Sequence, residues 1–446
     1  MNILELLILV PLIFVVLLAS RRVALLGMMA GVLYLTQGVG LDIGGFNMFA
    51  TRFLEMAGFF RVMRQREFAF SSLNGIDRAF LLFYAYLTII FLLRSSVGIA
   101  YQVGAALDAF LCYFTFRGLV GDLENFRWFL RALVILLMPY VALVTIESFT
   151  HYNFFTFMGG IEYADWLRSG RIRCQGSFRH ASLLGTFGAC FLPLFIALAF
   201  ATRDRARAIL GIFLCLAIVG FSNSGGPLNT AAVGVVGWLC WRARTKMQLL
   251  RRGITGLLVV MALVMKAPIW YLLARMSALT GGDGWHRSYL IDMAWQHLGK
   301  WWLAGMPIKE TGDWFPYTLQ NGTADITNQF ILFGLTGGLA AIILFIYVLI
   351  RAFSYLGKAM VAVRAGSSGN NEAEWMLWAL GVILAQHIVN WFGITYFDQI
   401  SVVWFMQLAA VSNLSEQHLQ IPDEIAGQTD EGSDPNLRHD ICLESP

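Results

Sequence analysis

Two arginine-bearing stretches hold the residues best suited to chemistry in this chain. The first, RSGRIRCQGSFRHASLLG, packs Arg168, Arg171, Arg173, Arg179 and His180 into a short segment directly before an apolar run. A guanidinium fork matches phosphate oxygens bidentately. Gly176, three residues beyond Arg173, allows close backbone approach to a ligand. Such a cluster suits a pyrophosphate, and it suits ordinary phospholipid headgroups as well. The second stretch, GGDGWHRSYLIDMAWQHLGKWWLAGMPI, reads as an amphipathic helix over residues 286–303 with Arg287 in its first turn. The helix dipole favours acids there. Arg287 therefore calls for an anion from elsewhere, or for a salt bridge to Asp283 or Asp292. His286 and His297 read as structural, hydrogen-bonding histidines.

The second stretch continues as KETGDWFPYTLQNGTADITNQ. Glu310, Asp313 and Asp325 are candidate general bases, because a carboxylate beside a desolvated surface has a raised pKa. Asp325 stands out because it directly precedes an apolar span. Solvated loop acids are the commoner case. Asn321-Gly-Thr323 is formally a glycosylation sequon. Asp108, His387 and Asn390 fall inside apolar runs, where a polar group is a functional candidate by default. They are too scattered for the acid chain of a proton pump, and Asp108 is open to pairing with a neighbouring helix. No GxxxxGK[ST], GxGxxG in a strand–helix setting, HExxH or GxSxG occurs.

These residues need elements to position them, and composition says what kind. Of 446 residues, 58% are hydrophobic and 13% charged. Soluble domains carry about 25% charged residues, so the chain reads as an all-α, polytopic membrane protein rather than a soluble, disordered or disulfide-framed one. The six cysteines are scattered and form no CxxC, which indicates neither zinc nor a disulfide framework. Residues 2–20 read as a retained first span, not a cleaved signal.

A span needs about 20 apolar residues. Such stretches fall near 2–20, 23–41, 77–93, 97–116, 128–146, 182–201, 207–222, 226–241, 253–267, 328–350, 375–393 and 399–413, which is about 12 spans. Residues 1–413 carry an excess of Lys and Arg, whereas the tail 414–446 holds eight acids and one base. The positive-inside rule puts Arg203, Arg205 and Arg207, then Arg242 to Arg252, then Arg351, Lys358 and Arg364 in the cytoplasm. It also puts the stretch 42–76 and both termini there, with 50–66 as an in-plane amphipathic helix and the acidic tail as a disordered cytoplasmic segment. Two long, partly helical loops, 147–181 and 268–327, are then exported. Arg21 and Arg22 contradict this arrangement, because it leaves them outside. The basic excess is that of a membrane face and does not imply nucleic acid.

Several motifs in these loops resemble the O-antigen ligase and O-antigen polymerase family. They are Arg173-x-x-Gly-x-Phe-x-His180 running into Leu183-Leu184-Gly185 and Pro193-Leu194, and Ser224-Gly225-Gly226 where the family often has Ser-Arg-Gly. Asp283 to Arg287, Trp295, Leu303-Ala304-Gly305, and Thr327-Asn328 with Gly338 complete the set. The resemblance covers roughly residues 140–350. It implies a GT-C-type glycosyltransferase of the bacterial inner membrane, multi-pass and inverting, that needs no metal, nucleotide or other cofactor. Its donor would be an undecaprenyl-pyrophosphate-linked oligosaccharide at the periplasmic face. Its acceptor would be another lipid-linked repeat for a polymerase, or lipid A–core for a ligase, with membrane lipids and polysaccharide export proteins as further partners.

By the resemblance, the pyrophosphate-holding role passes to Arg173 and Arg287, with Arg171 in reserve. Gly176, His286, Thr327 and Asn328 would line the substrate site. The family histidine of its His-Asn pair is Thr327 here, and a hydroxyl cannot serve as a base at neutral pH as imidazole does. His180, His286 and Asp325 are the replacements at hand, unless leaving-group stabilisation carries most of the catalysis. The departure favours a divergent polymerase over a standard ligase. Asn328 fits either a sugar-orienting role or a helix N-cap. A flippase or transporter, and a non-catalytic scaffold of a glycan-export complex, are the alternatives.

Overall fold

The computed structural model describes the chain except residues 1, 45, 96, 161–166, 169, 202–204, 281–283, 315–318, 320–321, 367–370 and 431–446. The described residues form an all-α bundle with two very short hairpins. Six stretches are long and apolar enough to cross a membrane by themselves: Gly75–Arg94, Ile99–Val120, Leu123–Thr150, Ala181–Phe200, Gly225–Val264 and Gln329–Ala365.

The first helices are α1 (Ile3–Leu18), α2 (Arg21–Tyr34) and α3 (Ala50–Gln65), with the hairpin β1 (Leu41–Ile43) and β2 (Phe46–Met48) before α3. Side-chain contacts fix their directions. Asn2 Nδ2 donates to the Phe157 carbonyl, so α1 starts beside residues 151–160. At its other end, Arg61 Nη1 donates to the carbonyls of Val16 (2.8 Å) and Ala19 (2.6 Å). Gln37 Nε2 meets Thr51 Oγ1 at 2.7 Å, so α3 begins where α2 ends and runs alongside α1.

This corrects the expected in-plane helix at 50–66. α3 buries Ala50, Thr51, Leu54, Glu55, Gly58, Arg61 and Val62, a helical stripe packed within the bundle. Its polar residues are paired internally: Arg52 grips both carboxylate oxygens of Asp108, and Arg61 pairs with Glu67 at 3.0 Å. A run with so many charges has too low a hydropathy to count as a span, yet its partners make it one more lengthwise helix than expected.

The bundle continues with α4 (Gly75–Arg94), α5 (Ile99–Val120) and α6 (Leu123–Thr150), then the hairpin β3 (Leu167–Arg168) and β4 (Arg171–Ile172). It goes on through α7 (Ala181–Ala201), α8 (Arg205–Phe221), α9 (Gly225–Leu239) and α10 (Met247–Val264). The described parts of the segment up to α14 hold α11 (Leu272–Thr280), α12 (Gly284–Gln296) and α13 (Leu298–Trp301), and α14 (Gln329–Ala365), α15 (Asn371–Trp391) and α16 (Gln399–Asp430) close the chain. The helix expected over 286–303 is split at His297, α6 continues to Thr150, and α14 continues to Ala365.

The two ends of the bundle differ. At one, here the arginine end, Arg117 bonds Asp77 and Glu416, Arg244 and Arg364 share Glu374, Arg127 pairs with Glu372, and Arg22 meets Glu124 and Asn125. Arg21 and Arg22 therefore stand with the other arginines, and the conflict noted above disappears. The N-terminus lies at the opposite loop end, while Ser412 and Glu416 of α16 lie at the arginine end. At the start of the expected tail, Leu414 and Ser415 are fully buried and Glu416 is paired, while residues 431–446 lie outside the described residues.

α14 breaks after its second turn. Gly337 (φ −143°, ψ 18°) and Gly338 (φ 74°, ψ −174°) leave helical geometry, a conformation that glycine adopts without strain. The turn after α13 fits into the break. Leu339 N donates to the Trp302 carbonyl and Met306 N to the Leu335 carbonyl, both at 2.8 Å. A Cβ at Gly305 would stand 2.2 Å from the Leu335 oxygen, and one at Gly338 2.4 Å from the Leu303 oxygen. Leu290, Met293, Trp301, Met306, Trp314 and Ile326 form a small separate core over the start of α14. The second long loop is thus a folded unit, as its aromatic content suggests.

Candidate functional site

The loop end gathers the residues of interest. Residues 171–180 are held from every side. Both oxygens of the buried Glu147 carboxylate, on α6, accept from the N–H groups of Gln175 (2.9 Å) and Gly176 (3.0 Å). Asn153 Nδ2 donates to the Gly176 carbonyl at 2.8 Å, and Gln399 Nε2 to those of Ser177 (2.9 Å) and Leu35 (3.1 Å). Gly176 has φ +57°, and a Cβ there would sit 2.4 Å from Tyr140 Oη. Its backbone N–H is thus spent on Glu147, and its close approach is to a tyrosine.

This clamp aims Arg173 at α7. Its Nη2 donates to Ser182 Oγ at 3.4 Å, and Ser182 Oγ is 2.7 Å from Ser224 Oγ. Ser224 is the N-cap of α9. Arg287, from α12, arrives at the same helix from the other loop. Its Nη2 is 3.8 Å from where a Cβ on Gly226 would be, and its Cζ and Nε are 3.2 Å from where one on Gly393 would be. Asp292, one of the salt-bridge partners considered for Arg287, instead accepts from Trp270 Nε1 (2.7 Å) and the Tyr271 hydroxyl. Asp283 lies outside the described residues. Guanidinium groups from two loops far apart in sequence therefore flank the first turn of α9. The first-turn N–H groups of a helix lack intrahelical acceptors and carry partial positive charge, so a helix start of this kind favours anions.

A buried network fixes that helix start. Thr230 Oγ1 contacts the Gly226 carbonyl and Asn390 Oδ1, each at 3.0 Å. Asn390 Nδ2 reaches Thr186 Oγ1 (2.9 Å) and Tyr396 Oη (3.2 Å). His387 joins Tyr396 Oη through Nδ1 (2.7 Å) and Gln407 Oε1 through Nε2 (2.6 Å). His387 and Asn390, scattered in the sequence, thus meet across α7, α9, α15 and α16.

The remaining sequence candidates fall as follows. His180 caps α7, with its Nδ1 accepting from Ser182 N at 3.1 Å. Arg171 is exposed on β4, and its carbonyl takes a long contact of 3.4 Å from Asn223 Nδ2. His286 is buried with Nε2 3.1 Å from the Asp325 carbonyl, while Asp325 itself is exposed. Asn328 is the N-cap of α14, accepting from Phe330 N (3.0 Å) and Ile331 N (3.1 Å). Thr327 Oγ1 is buried and has no partner among the described residues. Its neighbour Gln329 accepts from Tyr396 N at 2.7 Å. Asn321 lies outside the described residues. Among the described residues no group of three or more His, Cys, Asp or Glu could hold a metal ion.

Sequence reasoning passed over Glu147, Gly393, Tyr396 and Asp398, and it left Ser224 and Gly226 out of the site although their motif was noted. Glu147 was visible only as one acid at the end of an apolar run. Gly393 and Tyr396 carry no signal without the fold. No protein-family model matches the sequence, and no curated protein does.

Proposed function

We propose that the chain is an integral-membrane glycosyltransferase, a polysaccharide polymerase or ligase of the O-antigen polymerase and ligase kind. It takes a glycan from an undecaprenyl-pyrophosphate donor and passes it to an acceptor sugar at the loop end. The observation that carries this reading is the convergence of Arg173 and Arg287 on the Ser224-Gly225-Gly226 start of α9. Two guanidinium forks and a helix dipole suit two adjoining phosphates. Charge developing on the departing diphosphate is stabilised there, which lowers the barrier to an oxocarbenium-like transition state. Arginine-rich ends face the cytoplasm, so the loop end faces the periplasm of a bacterial inner membrane and the N-terminus lies outside. Arg173→Ala and Arg287→Ala should each cut polymer synthesis by at least about 100-fold at unchanged protein level. Near-normal polymer from both single variants ends the proposal.

A transporter of the same lipid-linked glycan is favoured by a different observation. Arg52 and Asp108 form a part-buried pair near Glu55, whose Oε2 is buried with no hydrogen-bond partner among the described residues, and buried ionisable groups mark transport paths. Purified protein in vesicles loaded with the lipid-linked oligosaccharide separates the two. New glycosidic bonds mean transferase; translocation without them means transporter.

A further inference from the structure

One acid at the loop end stands outside the arginine cradle. Asp398 lies in the turn between α15 and α16, with φ +53°, a conformation that L side chains rarely adopt. Its carbonyl accepts from Ser401 N at 3.0 Å, starting α16. Arg179 Nη1 lies 3.2 and 3.4 Å from its two carboxylate oxygens. The Asp398 side chain is 10% exposed, so it is shielded but reachable. Burial pushes its carboxyl up to about 6, while the Arg179 guanidinium pulls the other way and Asp108 on α5 pushes further up. Tyr101 of α5 also faces it.

Both halves of this pair are wired to the cradle. Arg179 is on the clamped segment that carries Arg173 and directly precedes His180, the cap of α7. Asp398 is on the turn whose Gly393 packs against the Arg287 guanidinium and whose Tyr396 joins the buried network. The other candidate bases are less well placed. Nδ1 of His180 is engaged with Ser182 N, His286 Nε2 is engaged with the Asp325 carbonyl, and the Asp325 carboxylate is exposed.

On the glycosyl-transfer reading above, we infer that Asp398 is the acceptor-side base and that Arg179 holds it ionised. The acceptor hydroxyl oxygen bonds to the anomeric carbon of the donor sugar, and its proton passes to the Asp398 carboxylate. The anomeric carbon–oxygen bond to the diphosphate breaks, and the lipid diphosphate leaves, held by Arg173 and Arg287. A base in this role works near neutral pH and fails once protonated.

The test uses full-length protein in nanodiscs with lipid-linked oligosaccharide extracted from cells lacking the protein. Release of lipid diphosphate and binding of the donor are both measured, from pH 4.5 to 8. Asp398→Asn should slow release by about 100-fold or more with donor affinity unchanged. Wild-type activity should fall through a midpoint near pH 6. Arg179→Gln should move that midpoint upward by roughly one pH unit, because an opposite charge is removed. Asp398→Glu should restore part of the rate, which guards against misfolding as the explanation. Full-rate Asp398→Asn beside inactive Arg173→Ala overturns the inference and leaves the transferase reading standing. A slow Asp398→Asn with no midpoint shift in Arg179→Gln makes the pair structural and also overturns it. Full-rate Arg173→Ala and Arg287→Ala would defeat the transferase reading itself.

Discussion

Arg173 and Arg287 reach α9 by different routes, and the difference sets what each substitution should do. Arg173 arrives through Ser182 and Ser224, both buried. Arg287 lies against two glycines, and a Cβ on Gly393 would stand only 3.2 Å from its guanidinium. Lysine keeps the charge but not the planar fork. Arg173→Lys and Arg287→Lys should therefore retain donor binding weakly and lose about 10- to 100-fold in polymer formation, read from polymer in membranes. Asn328 should behave differently. With its Oδ1 committed to the first turn of α14, Asn328→Ala should lower thermal stability by about 1 kcal/mol and leave the rate per folded molecule unchanged. The arginines were legible in the sequence because guanidinium clusters beside a span are rare and chemically specific. The helix they meet at was legible only through the Ser224-Gly225-Gly226 motif, and Asp398 not at all, since a lone acid in a turn gains meaning only from what faces it.

At the scale of elements, the segment 171–180 depends on one carboxylate from α6. Glu147 accepts from two adjacent backbone N–H groups, and Gly176 must be in a left-handed conformation to present one of them. Glu147→Gln keeps the shape but turns one acceptor into a donor against an N–H. It should cost about 1–3 kcal/mol, seen as a lower melting temperature in detergent. It should also raise KM for the donor more than it lowers kcat, because the displaced group is the arm carrying Arg173. Gly176→Ala should destabilise by more than about 1 kcal/mol. The twelve apolar runs were readable from hydropathy, and each corresponds to a helix. α3 was not, because its buried face includes Thr51, Glu55 and Arg61. Composition marks such a stripe as surface, and only the partners Val16, Ala19, Glu67 and Asp108 explain how it is buried.

At the scale of the whole molecule, α3 changes which end of the bundle each later helix starts from. One additional lengthwise helix places Asn2 and Glu416 at opposite ends. With the arginine end inside, a reporter at the N-terminus should read as external and one fused after α16 as internal, and matching signals from both would refute the arrangement. Arg22, bonded to Glu124 and Asn125, stands with the other arginines at that end. The break at Gly337-Gly338 bears on how the chain is made. Trp302 and Met306 complete their backbone pairing with Leu339 and Leu335, residues the ribosome adds some thirty positions later. A nascent chain halted soon after Met306 holds every aromatic of the loop unit except Trp314 and those beyond it, yet lacks the scaffold that settles them. That unit reaches its final form only when the start of α14 is in place, so translation-arrested chains should show it cut by protease until residue 339 has emerged.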